Sequence, residues 1–492
     1  MGPDVFITCS SDILPEIREY ERTSTTVINA YLGPILTAYF ASLRRHLDSI
    51  GAAADKPAYL VESGPAAGVI GAARLAPEGN NITLDMGGTT AKASMVEGGR
   101  ISRTGDYEVG AGINLSSKLV MGGGYALKLP VIDISEIGAG GGSIVSLDRG
   151  GLLKVGPESA GALPGPVCYG RGGEDPTFTD SALTLGFLNP GYLVGGDLKL
   201  DADAARDALQ AIIATPLDRD LLDAAWGVFQ VACGTMVRAV KAVSTYRGRD
   251  PRDFALFAFG GNGPVVAAEI ANLLDMTRVI IPPTPGVFSA YGLLLSDVEH
   301  EISRAWLNRL SGVSPPDMED AYRTLETEMT ALMASEGYTP ADYAVARLAD
   351  LRYAGQAHEL TVDCVSAGDA PDFDRLIAAF GDEHERTYGH QAEAEAVECV
   401  TLRLIARVTE ERPDRQVASS RVADNERTPR DVYFGPAHGL VETPVIDRPS
   451  LSAPQDGALI VEEYDSTCIV PPGWRAALDS LGNIVLTRGN SQ

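Results

Sequence analysis

Positive charge is scarce in this sequence: 40 Lys and Arg stand against 66 Asp and Glu, a formal net charge of −26. So acidic a surface repels nucleic-acid phosphates and anionic lipid headgroups, which sets aside a nucleic-acid or membrane-surface role. Cysteine is sparse too. The six, Cys9, Cys168, Cys233, Cys364, Cys399 and Cys468, form no CxxC pair and have no adjacent His ligand. That spacing fits neither a disulfide framework nor a zinc knuckle, and reads as reduced thiols in a cytoplasmic protein. No apolar run approaches the ~18 residues a membrane span needs. The opening residues, MGPDVFITCSS, lack the basic start and apolar core of a signal peptide. They resemble the interior of a protein, with a strand at Asp4–Thr8 and a helix after it.

Glycine, by contrast, is plentiful at 53 residues, in a chain that is 45% hydrophobic and 22% charged. Its 492 residues suffice for roughly two to four globular domains. A helix is expected over Thr25–Ile50, a strand at Tyr59–Val61 and a small-residue helix over Ala66–Leu75, opened by Ser63-Gly64-Pro65. The stretch Leu84-Asp85-Met86-Gly87-Gly88-Thr89-Thr90-Ala91-Lys92 follows a short apolar strand. No helical spacing comes after it. The pattern is strand, Gly-Gly turn, strand, a second Gly-Gly turn at Gly98-Gly99, and a third strand. Dinucleotide-binding and P-loop glycine motifs run into a helix, so neither is present.

Gly138 to Ser143 reads as a long flexible loop, within a turn-rich region flanked by Asp133, Glu136, Asp175 and Asp180. Polar-faced helix is expected over Asp201–Leu222 and a better helix over Ala224–Ala242. Phe254–Phe259 is a continuous apolar run, as in a buried parallel strand, and ends in Gly260-Gly261-Asn262-Gly263-Pro264 before a helix. Arg278–Pro282 is a second such strand. Beyond it come helices at Glu319–Glu336 and Phe373–Tyr388, alternating strands, a polar linker over Arg412–Pro429 and a β-rich tail. Three units are expected: 1–310, 311–412 and a small β-rich module at 413–492.

Glycines without a Cβ let phosphate oxygens reach backbone N–H groups. Thr89 and Thr90 add hydroxyl donors, and Asp85 is a hard oxygen ligand suited to magnesium. The alternative is a structural turn. The Gly260 loop favours the cradle, since it lies at the end of a buried strand, where ligands of open α/β sheets bind. His358, His384 and His390 read as packed or surface residues.

Along nearly its whole length the chain resembles the hydantoinase A/oxoprolinase family, the ATP-dependent subunits of N-methylhydantoinases, oxoprolinases and related ketone carboxylases. The matching stretches include Thr23–Tyr31, Ser63–Gly68, the Asp85 loop, Gly138–Ser143, Val155–Gly161, Pro166–Gly170, Pro176–Asp180, Phe257–Pro264, Glu462–Thr467 and Pro471–Trp474. The resemblance implies an α/β, actin-like (ribonuclease-H-like) ATPase fold with two lobes clasping ATP. It implies catalytic roles for Asp85, Thr89 and Thr90, with Asp85 on Mg2+. It places Gly87 and Gly88 on the phosphates, and Gly260, Gly261 and Gly263 on the adenosine; Lys92, from its own cationic side chain and not from the resemblance, is expected to pair with phosphate.

Three departures stand out. No first phosphate loop precedes Met1, so the chain resembles the family without its first lobe, as a split subunit or a truncated reading frame. Lys92 stands where many members have Asp, and Val266 where members commonly have His. The implied activity is ATP-dependent opening of a cyclic amide such as a hydantoin, oxoproline or lactam, in complex with a hydantoinase B-type subunit and with a separate chain for the first lobe. The alternatives are a subunit of an ATP-dependent ketone carboxylase and a non-catalytic scaffold.

Overall fold

The computed structural model describes residues 8–9, 13, 23–32, 63–76, 79–104, 107–109, 113–114, 125–127, 131–367, 370–392, 394–408 and 427–489. The strand expected at Tyr59–Val61, the one at Asp4–Thr8 apart from Thr8, and most of the linker expected over Arg412–Pro429 lie outside the described residues. Of the helix expected over Thr25–Ile50, residues 25–32 are described and are helical, in a helix that already includes 23 and 24.

The chain is mixed α/β. Helix α1 (Ser63–Leu75) leads to an antiparallel hairpin of β1 (Asn81–Met86) and β2 (Ala91–Glu97). Strand β3 (Ser135–Ile137) adds antiparallel to β2. After the hairpin β4 (Ser143–Leu147) and β5 (Leu153–Ser159) come helices α2 (Phe178–Thr184) and α3 (Leu221–Val243). Strand β6 (Ala255–Phe259), helix α4 (Gly263–Leu273), strand β7 (Arg278–Ile281) and helix α5 (Phe288–Leu294) follow. β1, β6 and β7 run parallel, side by side. The helix expected over Asp201–Leu222 is interrupted: it ends near Ala214, and α3 restarts with Asp220 as its N-cap.

β6 reads as an unbroken apolar run because both of its faces are covered, and all five of its residues are buried. On one side Leu256 and Ala258 join Ile82, Leu84 and Met86 of β1 in the core beneath α3 and α4. On the other, Phe257 and Phe259 pack on Phe288 of α5, with ring centroids 5.5 and 5.0 Å away, and on Ala72 of α1. Burying each ring contributes about 2–3 kcal/mol. The strand end carrying Gly260 is thereby held rigidly.

A second sheet has the order β8 (Glu299–Arg309), β11 (Val397–Val408), β9 (Tyr343–Tyr353) and β10 (Leu360–Asp363). Helices α6 (Pro315–Ser335) and α7 (Phe373–Tyr388) share its separate core, built on Met318, Tyr322, Met329, Leu376, Phe380 and Leu402. His384 is packed there, with Nδ1 2.7 Å from the carbonyl oxygen of His390 and its ring against Tyr353 and Phe380.

The residues after 427 are β-rich but do not stand apart as the sequence led us to expect. β12 (Leu459–Glu462) and β13 (Thr467–Val470) pack into the first core, and β14 (Trp474–Leu478) and β15 (Ile484–Arg488) extend the main sheet. β15 pairs antiparallel with β7, so the sheet runs β14–β15–β7–β6–β1–β2–β3, with short strands Gln455–Asp456 and Ile113–Asn114 at its ends. Alternation marks a strand; it does not say which edge the strand joins.

Arg448 fixes this return. Its guanidinium donates to both Glu463 carboxylate oxygens at 2.6 Å, to the carbonyls of Pro282 and Gly482 at 2.8 Å, and to that of Ile281 at 3.2 Å. Arg448→Ala leaves a buried carboxylate and three carbonyls without their donor. It is expected to cost about 3–5 kcal/mol, read as a lowered urea midpoint of the full chain. Among the described residues no helix is long and apolar enough to cross a membrane.

Candidate functional site

Asp85 lies next to last in β1, on the face toward α1 and α5. Sheet register sets Lys92 of β2 opposite Asp85, and Glu136 of β3 opposite Lys92. Paired residues point to one face, so acid, base and acid stand in a row across three strands. The Lys92 ammonium is 3.1 Å from the Glu136 carboxylate and donates to the Thr90 hydroxyl at 3.1 Å. Burial raises the Asp85 carboxyl above the usual carboxylate range, while the Lys92 charge and a long 3.5 Å contact from the Ser289 hydroxyl pull the other way. A carboxylate held at that cost is poised for a cation or a proton.

The loop after Asp85 is a bend between antiparallel strands, with Gly88 and Thr89 exposed. Among the described residues their N–H groups meet no hydrogen-bond acceptor. Their carbonyl side, in contrast, is tied down by two other glycine loops. The Gly141 N–H donates to Gly87 O (3.0 Å) and the Gly142 N–H to Gly88 O (2.6 Å). From the third loop the Asn262 N–H donates to Met86 O (3.0 Å) and its side-chain amide to Gly87 O (3.3 Å). Bonded on one side and bare on the other, the turn presents donors outward to a ligand rich in acceptors.

Gly138–Ser143 is therefore no flexible loop. Residues 139–143 are buried, the Gly140 N–H donates to the Ser143 hydroxyl (2.8 Å), and Thr179 donates to Gly141 O through both its N–H and its hydroxyl (2.9 and 2.8 Å). A Cβ at Gly140 would sit 2.6 Å from Thr89 N, so these glycines buy close contact between loops. Gly260 has φ +81°, and a Cβ there would lie 2.5 Å from Asp85 Oδ1. Gly260 and Gly263 are buried and set the spacing of the strand ends; Gly261 is exposed. Val266 is fully buried within α4.

The other acids separate by environment. Asp133 pairs with Arg247. Asp180 completes a capping box with Thr177 at the start of α2 and accepts from the Cys168 N–H at 2.8 Å. Both are structural. Asp175 is exposed. Cys168, Cys233, Cys364, Cys399 and Cys468 are buried, and burial pushes every one of these thiols up, Cys468 to about 12, which removes them as thiolate nucleophiles at neutral pH.

Sequence reasoning left four residues out of the site: Asn262, Ser289, Gly141 and Gly142. Asn262 was readable, as the one amide inside a glycine run. Ser289 comes from a distant helix start with nothing local to mark it.

The family model described as Hydantoinase/oxoprolinase matches residues 22–302, and that of the Hydantoinase/oxoprolinase C-terminal domain matches 313–486. An uncharacterized protein of Methanocaldococcus jannaschii is 37% identical over 99% of this chain and 73% of its own length. Caprolactamase subunit alpha of Pseudomonas jessenii is 32% identical over 99% of this chain and 73% of its own. The crystal structure of ATP-dependent caprolactamase from Pseudomonas jessenii superposes with a TM-score of 0.81 at 31% identity, covering 99% of this chain and 73% of that one.

Proposed function

The chain belongs to the hydantoinase/oxoprolinase family, and on that footing we propose that it is the nucleotide-binding part of an ATP-dependent enzyme that opens a cyclic amide. The observation that carries this reading is the Asp85 turn, whose Gly88 and Thr89 N–H groups face outward beside the Asp85–Lys92–Glu136 row. The strand order supports an actin-like lobe: two antiparallel strands beside β1 on one flank and two parallel strands on the other.

An amide carbon is a poor electrophile. Transfer of the ATP γ-phosphoryl group to the amide oxygen, with ADP leaving, activates that carbon; water adds to it, the ring C–N bond breaks with the nitrogen leaving as a protonated amine, and a second water releases phosphate from the acyl phosphate to give the ring-opened amino acid. The turn's N–H groups and the Thr89 hydroxyl bind and orient phosphate oxygens, and Lys92, held by Glu136, supplies a fixed positive charge beside them. Asp85 suits magnesium as one hard oxygen ligand, acting through water, because among the described residues no three His, Cys, Asp or Glu side chains gather as a ligand set. That ion would neutralise phosphate charge during transfer. Gly261 leaves room for the adenosine. We take a B-type subunit as the partner.

The test is magnesium-ATP binding by calorimetry, followed by phosphate release from the chain with its co-expressed partner on hydantoin, 5-oxoproline, caprolactam, and a ketone with bicarbonate. Phosphate release coupled to a ring-opened amino acid is the expected result. A carboxylated ketone would move the reaction to the carboxylase class. A chain that binds no nucleotide would be a scaffold, and the reading would fall.

A further inference from the structure

The turn between β12 and β13 carries two polar atoms that the fold leaves unserved. Asp465 Oδ1 and Ser466 Oγ are buried and, among the described residues, have no hydrogen-bond partner. A buried acceptor or hydroxyl without a partner is costly, and is ordinarily satisfied by water or a ligand. This turn is no slack surface loop. The Glu463 N–H donates to Ser466 O at 2.9 Å, and Glu463 is gripped by Arg448, which also holds the end of β7.

The turn points at the cradle. Asp465 Oδ2 accepts from the Gly286 N–H at 2.9 Å, and Gly286 lies in the turn that leaves β7. The neighbouring Pro285 carbonyl accepts from the Gly260 N–H at 2.8 Å. The place of a Cβ on Gly261 is 3.9 Å from Asp465 O. Asp465 is thus part-exposed between two exposed glycines, one at the end of each parallel strand β6 and β7. Thr284, two residues before Gly286, is held in the left-handed region at φ 49°, a strain that accumulates where geometry serves a ligand.

We propose that Asp465 is the ribose-recognising residue of the nucleotide site, its free oxygen Oδ1 accepting a hydrogen bond from a sugar hydroxyl of the bound nucleoside triphosphate, with the Ser466 hydroxyl beside it. This rests on the nucleotide reading above and specifies which part of the nucleotide meets which residue. A vicinal diol offers donors, a carboxylate offers only acceptors, and at Gly261, where a Cβ would meet nothing nearer than 3.9 Å, the lip leaves space for a sugar ring. Burial, with Glu463 near, raises the Asp465 carboxyl above its usual range, a cost that sugar hydroxyl donors would relieve.

The experiment is calorimetric titration of the full chain with magnesium complexes of ATP, 2′-deoxy-ATP and 3′-deoxy-ATP, repeated on Asp465→Asn and Asp465→Glu. Loss of a hydrogen bond to a charged acceptor is worth about tenfold or more in affinity. Wild type is therefore expected to bind at least one deoxy analogue about tenfold more weakly than ATP, and both variants to bring the three ligands within about twofold. Wild type that binds ATP and both analogues alike overturns the inference and leaves the nucleotide reading standing. So does either folded variant that keeps wild-type discrimination. Failure of wild type to bind ATP at all overturns the nucleotide reading itself, and this inference with it.

Discussion

Gly88→Val is expected to abolish ATP binding while leaving the fold intact. The two halves of that result have separate causes. Gly88 is exposed, its backbone lies outside the left-handed region, and a Cβ built on it meets nothing within 4 Å. The protein therefore has room for the side chain, and the melting temperature should move by no more than about 2 °C. What the side chain adds is bulk on the turn whose Gly88 and Thr89 N–H groups would receive phosphate oxygens. A loss of affinity on the order of a hundredfold or more is expected by calorimetry. Unchanged affinity would reduce LDMGGTT to a structural turn. Gly140 supplies the contrast. Its Cβ would lie 2.6 Å from Thr89 N and 2.7 Å from Gly88 O, so Gly140→Val should lower stability as well as binding.

Asp85→Asn is expected to lower turnover of the chain with its partner subunit by about a hundredfold, the scale of one removed electrostatic contact in a transition state. Binding of ATP should fall much less, since the charge acts most as phosphate charge moves. Stability should change in the opposite sense to activity. Burial raises the folded-state pKa of Asp85 above its unfolded value. As pH climbs from the unfolded pKa to the folded one, the unfolded chain releases this proton first, so the side chain costs stability progressively and keeps that cost above the folded pKa. Asparagine cannot ionise and escapes the cost. Thermal melts from pH 3 to 8 should show Asp85→Asn gaining on wild type as pH rises, then holding level. A variant with wild-type turnover and a lower melting temperature would make Asp85 a turn residue.

The elements that frame the site were legible wherever one local property decides them. Phe254–Phe259 announces a strand buried on both faces, and the absence of helical spacing after Gly88 announces a hairpin. What was illegible depends on pairing over distance. Gly138–Ser143 looks flexible because glycine alone implies freedom, yet its N–H groups spend that freedom on the carbonyls of Gly87 and Gly88, some fifty residues earlier. The roles of Lys92 and Glu136 follow from register between β2 and β3, which no spacing between the two residues reveals. Alternation in 474–488 gave strands correctly and a separate module wrongly, because the edge of β7 that receives β15 is invisible from either segment.

That last pairing governs the order in which the molecule can be made. β7 emerges from the ribosome some two hundred residues before β15, its neighbour on one side. In the interval Val279 and Ile281 sit on a strand whose backbone donors and acceptors are open along one edge, a template for unwanted pairing with another nascent chain. The second sheet, closed by contacts within 299–408, is free to form during that wait. The main sheet is thus begun before the second sheet and completed after it. The β7 end gains its Arg448 and β15 contacts only at that point, so the support of its turn depends on residues 448–488 and not solely on the segment that carries the glycine loops.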